Sequence, residues 1–220
     1  MRNTILTIAI LSMTIGCKKE ETATPIPEKE TPIEQLISGN QRFIEEKSIH
    51  PHQDKKTVLK NQNEQHPFAV VLSCSDSRVS PEVLFDQGLG DLFVIRNAGN
   101  LISDIDMGSI EYAVEHLDVK LIIVLGHTEC GAIKAYIKDK DNLYKKHLNH
   151  IDDIVATLAE EKEEQAEEKK MPKEKNLLGS INANIEHSSR LIQENSIIKE
   201  HKTKIISMRY DVHTGKIIQL

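Results

Sequence analysis

The sequence predicts an α/β fold with a mostly parallel β-sheet flanked by helices, and two observations carry this prediction. Two short apolar runs, residues 68–72 and 121–125, are rich in β-branched side chains and lack alternation, as expected of strands that are covered on both faces. Helix-like segments separate such runs along the chain, which is typical of a parallel α/β sheet. With 220 residues, 39% hydrophobic and 28% charged, the chain is long enough for one soluble domain of this kind.

The N-terminus predicts an export signal over residues 1–17. Arg2 precedes an apolar stretch of eleven residues, 5–15, which is shorter than the about 20 residues that cross a bilayer. Residues 14–17, Thr-Ile-Gly-Cys, resemble a bacterial lipobox, although Thr14 stands where Leu is usual. We therefore expect a lipoprotein anchored through a lipid on Cys17 at the periplasmic side of a membrane. The alternative is an ordinary cleaved signal, which would leave a soluble periplasmic or secreted protein.

Residues 18–30 consist mainly of Lys, Glu, Thr and Pro and predict a disordered tether, so the folded domain is expected over residues 31–220. A capping box from Thr31 to Glu34 predicts a helix to about residue 46. The Glu- and Lys-rich residues 160–175 predict a solvated helix surface or a mobile insertion. Similar patterns predict helices after Ser80 and over residues 106–117, 131–137 and 177–201, strands over 92–96 and 120–125, and an edge hairpin from 204–212 and 216–220.

Two motifs directly follow the two apolar strands. Cys74, Asp76 and Arg78 form a Cys-x-Asp-x-Arg motif, and His127 and Cys130 form a His-x-x-Cys motif. Parallel sheets bind ligands beyond the carboxyl ends of their strands, so adjacent strands would bring the two motifs together. Two thiolates and an imidazole are a ligand set that zinc favours, and three protein ligands leave a fourth position open, as in catalytic sites. We therefore expect one Zn²⁺ per chain.

The combination of these motifs resembles the β-class carbonic anhydrases, most clearly over residues from about 35 to 138. The resemblance implies a zinc lyase that reversibly hydrates carbon dioxide to bicarbonate and a proton, using zinc-bound hydroxide. It also implies a homodimer or a higher homo-oligomer. Gln65, Phe93 and Tyr112 fall at the positions where the plant-type members place their substrate-binding residues.

Charge predicts the roles of the acidic and basic residues beside the first cysteine. The Asp76 carboxylate would accept a hydrogen bond from zinc-bound hydroxide, and Arg78 would hold that carboxylate off the metal. If Arg78 released it, Asp76 could become the fourth ligand and close the site. Val71 stands where members with a regulatory bicarbonate pocket carry Trp, so we expect the open form near neutral pH.

Three alternatives remain open at the level of sequence. In an exported protein, Cys74 and Cys130 could form a disulfide, although this leaves His127 and the Asp76–Arg78 pair unexplained. The same centre could hydrolyse carbonyl sulfide or carbon disulfide, or the domain could bind zinc without catalysis. The formal net charge of −6 argues against a nucleic-acid partner.

Overall fold

The computed structural model describes residues 30–139, 146, 149–172 and 176–220. The predicted signal with Cys17, and the predicted tether apart from residue 30, lie outside these residues. Within the described part of the chain, no helix combines the length and the hydrophobicity that crossing a bilayer requires.

A sheet of five strands in the order β2-β1-β3-β4-β5 forms the centre of the described chain. Its strands are β1 (Ala69–Cys74), β2 (Leu92–Asn97), β3 (Leu121–His127), β4 (Lys204–Tyr210) and β5 (Ile217–Gln219). The first four run parallel, and β5 pairs antiparallel with β4 at the edge of the sheet. The prediction of a mostly parallel sheet with a C-terminal edge hairpin is therefore confirmed.

Helices cover both faces of the sheet, which explains the lack of alternation in its central strands. Every residue of β1 and of β3 is buried. The helices are α1 (Pro32–Ile44), α2 (Lys55–Lys60), α3 (Pro81–Leu84), α4 (Asp104–Glu115), α5 (Gly131–Lys138), α6 (His150–Glu160), α7 (Lys162–Lys170), α8 (Leu177–Glu194) and α9 (Ser196–Glu200). Apolar side chains from α4, α5, α6, α8 and α9 pack on one face, and those from α1 and α3 pack on the other.

The prediction of one helix over residues 177–201 is wrong, because the helix is interrupted at Asn195. This residue is extended, with φ −63° and ψ 135°, and its side chain accepts hydrogen bonds from the N–H groups of Ile197 and Ile198. The Asn195 side chain thereby caps a new helix, and α8 and α9 are separate elements. The sequence analysis also did not predict α6.

The prediction of a solvated surface over residues 160–175 is wrong for the start of α7. Glu161 and Glu164 are each only 1% exposed. The Ser180 hydroxyl on α8 donates to Glu164 Oε1 over 2.6 Å, and Arg190 on the same helix forms an ion pair with Glu163. A helix does form here, but Glu163 and Glu164 contact side chains of α8.

Candidate metal centre

Neighbouring strands bring the two sequence motifs together at the carboxyl end of the sheet. Cys74 ends β1 and His127 ends β3, and these strands pair directly. The possible ligand atoms of Cys74, His127 and Cys130 all lie within 4.8 Å of one another, and all three residues are buried. No other group of this kind occurs among the residues that the structure describes. The chain therefore forms the three-residue cluster that the motif spacing predicts.

The His127 imidazole has the arrangement expected of a metal ligand. Its Nδ1 lies 2.8 Å from the carbonyl oxygen of Thr128, to which it donates. Its Nε2 is buried and has no hydrogen-bond partner. A histidine that binds a metal through one nitrogen usually donates its other N–H to a carbonyl or a carboxylate. The unpartnered nitrogen and the two nearby sulfurs thus fit a zinc ion.

Cys74 and Cys130 are buried free thiols, so the structure does not contain the alternative disulfide. The Cys130 thiol, together with His127 and the Gly99 N–H, lowers the pKa of Cys74 to about 4 although burial opposes this. The pKa of Cys130 is raised, because its thiol donates to Cys74 and both groups are buried. The pair therefore favours one thiolate even without a metal, and thiolates are the form that binds zinc.

The Asp76 carboxylate lies beside the cluster and is held by Arg78. Arg78 Nε and Nη2 donate to the two carboxylate oxygens over 2.9 and 2.7 Å, and the Arg78 backbone N–H donates over 3.0 Å. These hydrogen bonds hold the pKa of Asp76 well below its usual range. Asp76 Oδ2 remains 3.9 Å from His127 Nε2. Arg78 also donates to the carbonyl of Glu129 over 3.4 Å, which links the two motifs.

Arg96, which the sequence analysis did not assign to the site, supports the backbone of the first motif. It donates from Nε to the carbonyl of Cys74 over 3.2 Å and from Nη2 to the carbonyl of Asp76 over 2.9 Å. Its position near the carboxyl end of β2, the strand beside β1, is the signal that could have identified it.

The three predicted substrate-binding residues do not meet the cluster within one chain. Phe93 pairs with Val70, whereas Cys74 pairs with Asn97 four residues further on, a separation of about 13 Å along a strand. The rings of Phe93 and Tyr112 lie 6.3 Å apart, centroid to centroid, and Tyr112 is 46% exposed. Gln65 is also exposed and precedes β1. These side chains lie towards the opposite end of the sheet from the cluster.

Comparison with known sequences gives one family. A family model described as carbonic anhydrase matches residues 69–217. A carbonic anhydrase of Mycolicibacterium smegmatis is 51% identical over 106 residues, which make up 48% of this chain and 52% of the relative. A carbonic anhydrase of Candida albicans is 31% identical over 201 residues, or 87% of this chain and 69% of the relative. The match thus spans about half the length of the mycobacterial relative.

Solved structures give the same family. A β-carbonic anhydrase from Coccomyxa, solved in complex with acetazolamide, has a TM-score of 0.66 and 27% identity, and the match covers 84% of each chain. One of two β-carbonic anhydrases from Sordaria macrospora, which are described as tetrameric, has the same TM-score and 27% identity over 83% of this chain and 93% of that chain.

Proposed function

Because this chain belongs to the β-class carbonic anhydrase family, we propose that it is a zinc enzyme that reversibly hydrates carbon dioxide to bicarbonate and a proton. The observation that carries this proposal is the buried cluster of Cys74, His127 and Cys130 with an ionised Asp76 beside it. Cys74 Sγ, His127 Nε2 and Cys130 Sγ would hold the ion. When bound, zinc acts as a Lewis acid that makes a water molecule nucleophilic near neutral pH.

Asp76 orients the reacting water in this proposal. Its depressed pKa keeps the carboxylate ionised throughout the neutral range, so it accepts hydrogen bonds and does not donate them. A carboxylate that accepts a hydrogen bond from the water, without taking its proton, leaves an oxygen lone pair of the water free to face carbon dioxide. The proton released by the reaction passes to solvent buffer.

Arg78 positions that carboxylate and keeps the site open. For Asp76 to become a fourth ligand, its carboxylate would have to leave the hydrogen bonds from the Arg78 guanidinium and backbone. Charge-assisted, two-pronged pairs of this kind are among the stronger hydrogen bonds in proteins. We therefore propose that Asp76 stays off the metal near neutral pH.

We further propose that Gln65, Phe93 and Tyr112 serve the metal centre of a second copy of the chain. They are too far from the cluster of their own chain to line its pocket, as the β1–β2 register indicates. Phe93 lies in β2, which is an edge strand of the described sheet, and the Tyr112 ring contacts that of Phe93. The Sordaria relatives are described as tetramers, which supports a homo-oligomer for this chain. In that arrangement the two aromatic rings would form an apolar wall for an uncharged gas, and Gln65 would donate to a substrate oxygen.

The anchor proposed for residues 1–17 is independent of this chemistry. We propose that Cys17 carries lipid and holds the enzyme at the periplasmic side of a membrane. The support is the short apolar stretch that ends in Thr-Ile-Gly-Cys. Incorporation of labelled palmitate into the wild type but not into a Cys17→Ser variant would test it, and equal labelling of both would contradict it.

Stopped-flow carbon dioxide hydration by the zinc-loaded full chain tests the activity. We expect Asp76→Asn to lower kcat/KM about 100-fold or more, because the reacting water is no longer oriented by a carboxylate and a misplaced reactant costs on this scale, with zinc content unchanged. The matched control is Ser77→Ala, which changes an exposed neighbour and should leave the rate unaltered. A zinc-loaded wild type that hydrates no carbon dioxide would contradict the proposal, and turnover of carbonyl sulfide or carbon disulfide in its place would identify a sulfur-gas hydrolase.

A further inference from the structure

We propose that Asn184 and Ser188 of α8 are positioning residues for the metal centre. They hold the turn at Gly99 and Asn100 in the conformation that keeps the Gly99 N–H on the sulfur of Cys74. This inference rests on the metal centre of the proposed function and assigns a role to two residues that the cluster does not contain.

Two hydrogen bonds connect α8 to this turn. Asn184 Nδ2 donates to the carbonyl oxygen of Gly99 over 2.7 Å, and Ser188 Oγ donates to the carbonyl oxygen of Asn100 over 3.0 Å. Both side chains are buried, with 2% and 0% exposure. Buried hydrogen bonds of this kind are expensive to break, because the acceptor left behind loses its partner without gaining water.

The turn needs such support because its backbone conformation is unusual. Gly99 has φ +83° and Asn100 has φ +50°, so two consecutive residues lie in the left-handed region. That region is unfavourable for a residue with a side chain, although Asn tolerates it better than most. The Asn97 side chain bridges the ends of the turn through hydrogen bonds with both backbone groups of Leu101. Of the carbonyl groups between these ends, α8 holds those of Gly99 and Asn100.

Holding the carbonyl groups fixes the direction of the N–H that faces the metal cluster. The Gly99 N–H donates to Cys74 Sγ over 3.4 Å, while the Gly99 carbonyl, on the other side of the same residue, is bound to Asn184. Rotation of the peptide group after Gly99 would break the second contact. Asn184 therefore restrains the conformation of Gly99, and through it the hydrogen bond to the sulfur.

Close packing of α8 on the sheet allows these side chains to reach the turn. A Cβ atom at Gly126 would lie 2.4 Å from Ile185 Cδ1, so only glycine at this position of β3 lets the helix approach so closely. Gly126 directly precedes His127, and Ile185 directly follows Asn184. Helix α8 thus contacts β3 at the residue before His127, and neighbouring residues of the helix are close enough to bond to the turn.

The hydrogen bond to sulfur has a chemical consequence for a bound metal. Two thiolates neutralise the charge of a divalent ion, and this weakens its effect on a bound ligand. An N–H group that donates to a thiolate withdraws charge from the sulfur, so the metal keeps more of its Lewis acidity. Loss of the Asn184 contact should loosen the turn beside Cys74, and the less well positioned site should bind zinc more weakly. In the metal that does bind, Cys74 without its N–H partner should be the stronger electron donor.

Matched substitutions on α8 test the inference. Asn184→Ala is compared with Asn182→Ala, because Asn182 accepts a hydrogen bond from Arg209 and does not contact the turn. Ser188→Ala is compared with Ser189→Ala, because the Ser189 hydroxyl bonds to that of Ser207 instead. Each pair keeps residue type and helix constant, and only the first member of each pair bonds to the turn.

The readouts are zinc affinity, by competition with a chromogenic chelator, and the sulfur-to-cobalt charge-transfer band of the Co²⁺-loaded protein. We expect Asn184→Ala to weaken zinc binding about tenfold or more, the usual scale for a residue that supports a ligand, and to shift the band to longer wavelength. Ser188→Ala should change both in the same direction by less, and the two controls should match the wild type. Ser188→Ala removes less volume, so it provides the comparison if Asn184→Ala fails to fold.

Two outcomes would overturn the inference in distinguishable ways. If the wild type binds both ions but Asn184→Ala and Ser188→Ala have the affinity and band of their controls, the contacts are packing only and this inference fails alone. If the wild type binds neither ion, the proposed function fails and this inference fails with it.

Discussion

Two of the regions where the described chain buries acidic or metal-ligating side chains differ in how the buried groups are arranged. At the carboxyl end of the sheet, Cys74, His127 and Cys130 form a buried group whose ligand atoms face one another. At the start of α7, Glu161 and Glu164 are each 1% exposed but belong to no such group among the described residues. Burial alone therefore does not identify a binding site; the arrangement of the buried atoms does.

The same two regions show opposite shifts in carboxyl pKa. Hydrogen bonds from Arg78 outweigh burial and lower the pKa of Asp76. Burial, reinforced by Glu164 and Glu163, raises the pKa of Glu161 to about 9, and Arg190 opposes this only in part. Both oxygens of Glu161 lack a hydrogen-bond partner. A cationic partner in direct contact thus decides whether a carboxylate near the core stays ionised at neutral pH.

The largest effect is expected from removing a ligand at the sheet end. Cys74→Ala leaves two protein ligands, so zinc should fall from about one ion per chain to a small fraction of that, and hydration should fall about 1000-fold or more. Metal analysis and stopped-flow hydration would measure both. Ser75→Ala, at the exposed neighbouring position, is the control, and full zinc occupancy in Cys74→Ala would contradict the ligand assignment.

The next largest effect is expected from Arg78, and it distinguishes the loss of the direct partner of Asp76 from the loss of any nearby positive charge. Arg78→Ala should lower hydration about 100-fold while zinc is retained, because Asp76 is no longer held in place. Without Arg78 the pKa of Asp76 should rise towards its usual value, so activity should fall further as the pH is lowered towards that value. Lys134→Ala removes a nearby cation that pairs with Glu129 and not with Asp76. Equal losses in the two variants would show that only net charge matters.

A smaller effect, on stability, is expected at α7. A carboxyl group whose pKa is raised in the folded state stabilises the fold at pH values below its unfolded pKa, and this stabilisation is lost as the pH rises through the folded value. With a folded pKa of about 9 for Glu161, wild-type stability should therefore decline between about pH 5 and pH 9. The stability of Glu161→Gln should decline less over this range. Its Tm relative to that of the wild type should therefore be at least about 2–4 °C higher at pH 9 than at pH 5.

Thermal unfolding at pH 5 and pH 9 measures this difference. Glu160→Gln is the matched control, because it removes an exposed carboxyl group from the adjacent position and should follow the wild type. A Glu161→Gln profile that parallels the wild type would mean that Glu161 is ionised and solvated in the folded protein.

The smallest effect is expected at the contact between α7 and α8. Ser180→Ala removes the hydrogen bond to Glu164 Oε1 and should lower the free energy of unfolding by about 1–2 kcal/mol, the usual scale for a buried acceptor that loses its donor. Urea denaturation would measure it. Ser109→Ala, at a half-buried serine that bonds within its own helix, should change stability by less, and an equal change would indicate that the α7–α8 contact does not stabilise the fold.

Local patterns predicted most of the central fold and the metal cluster. The apolar runs before Cys74 and before His127 are buried strands that pair directly, and the Thr31 capping box begins α1. The hairpin signal around Gly215 was also informative, since β4 and β5 pair antiparallel. In each case the signal lies within a few residues of the feature it predicts.

Features that depend on distant contacts were missed or misjudged. Nothing near Glu164 in the sequence indicates that Ser180 of α8 will bond to it. Asn184 is one of several polar residues in an amphipathic helix, and its contact with Gly99 spans 85 residues. The positions of Gln65, Phe93 and Tyr112 relative to the cluster follow from strand register, which the motifs do not encode. Tertiary packing determines these features.

X-ray absorption at the zinc edge of the zinc-loaded full chain, at neutral pH, tests the proposed ligand set of the metal centre. We predict about one zinc per chain with two sulfur neighbours near 2.3 Å and two nitrogen or oxygen neighbours near 2.0–2.1 Å. A spectrum without two sulfur neighbours, or a chain that binds no zinc and has Cys74 and Cys130 oxidised to a disulfide, would contradict it.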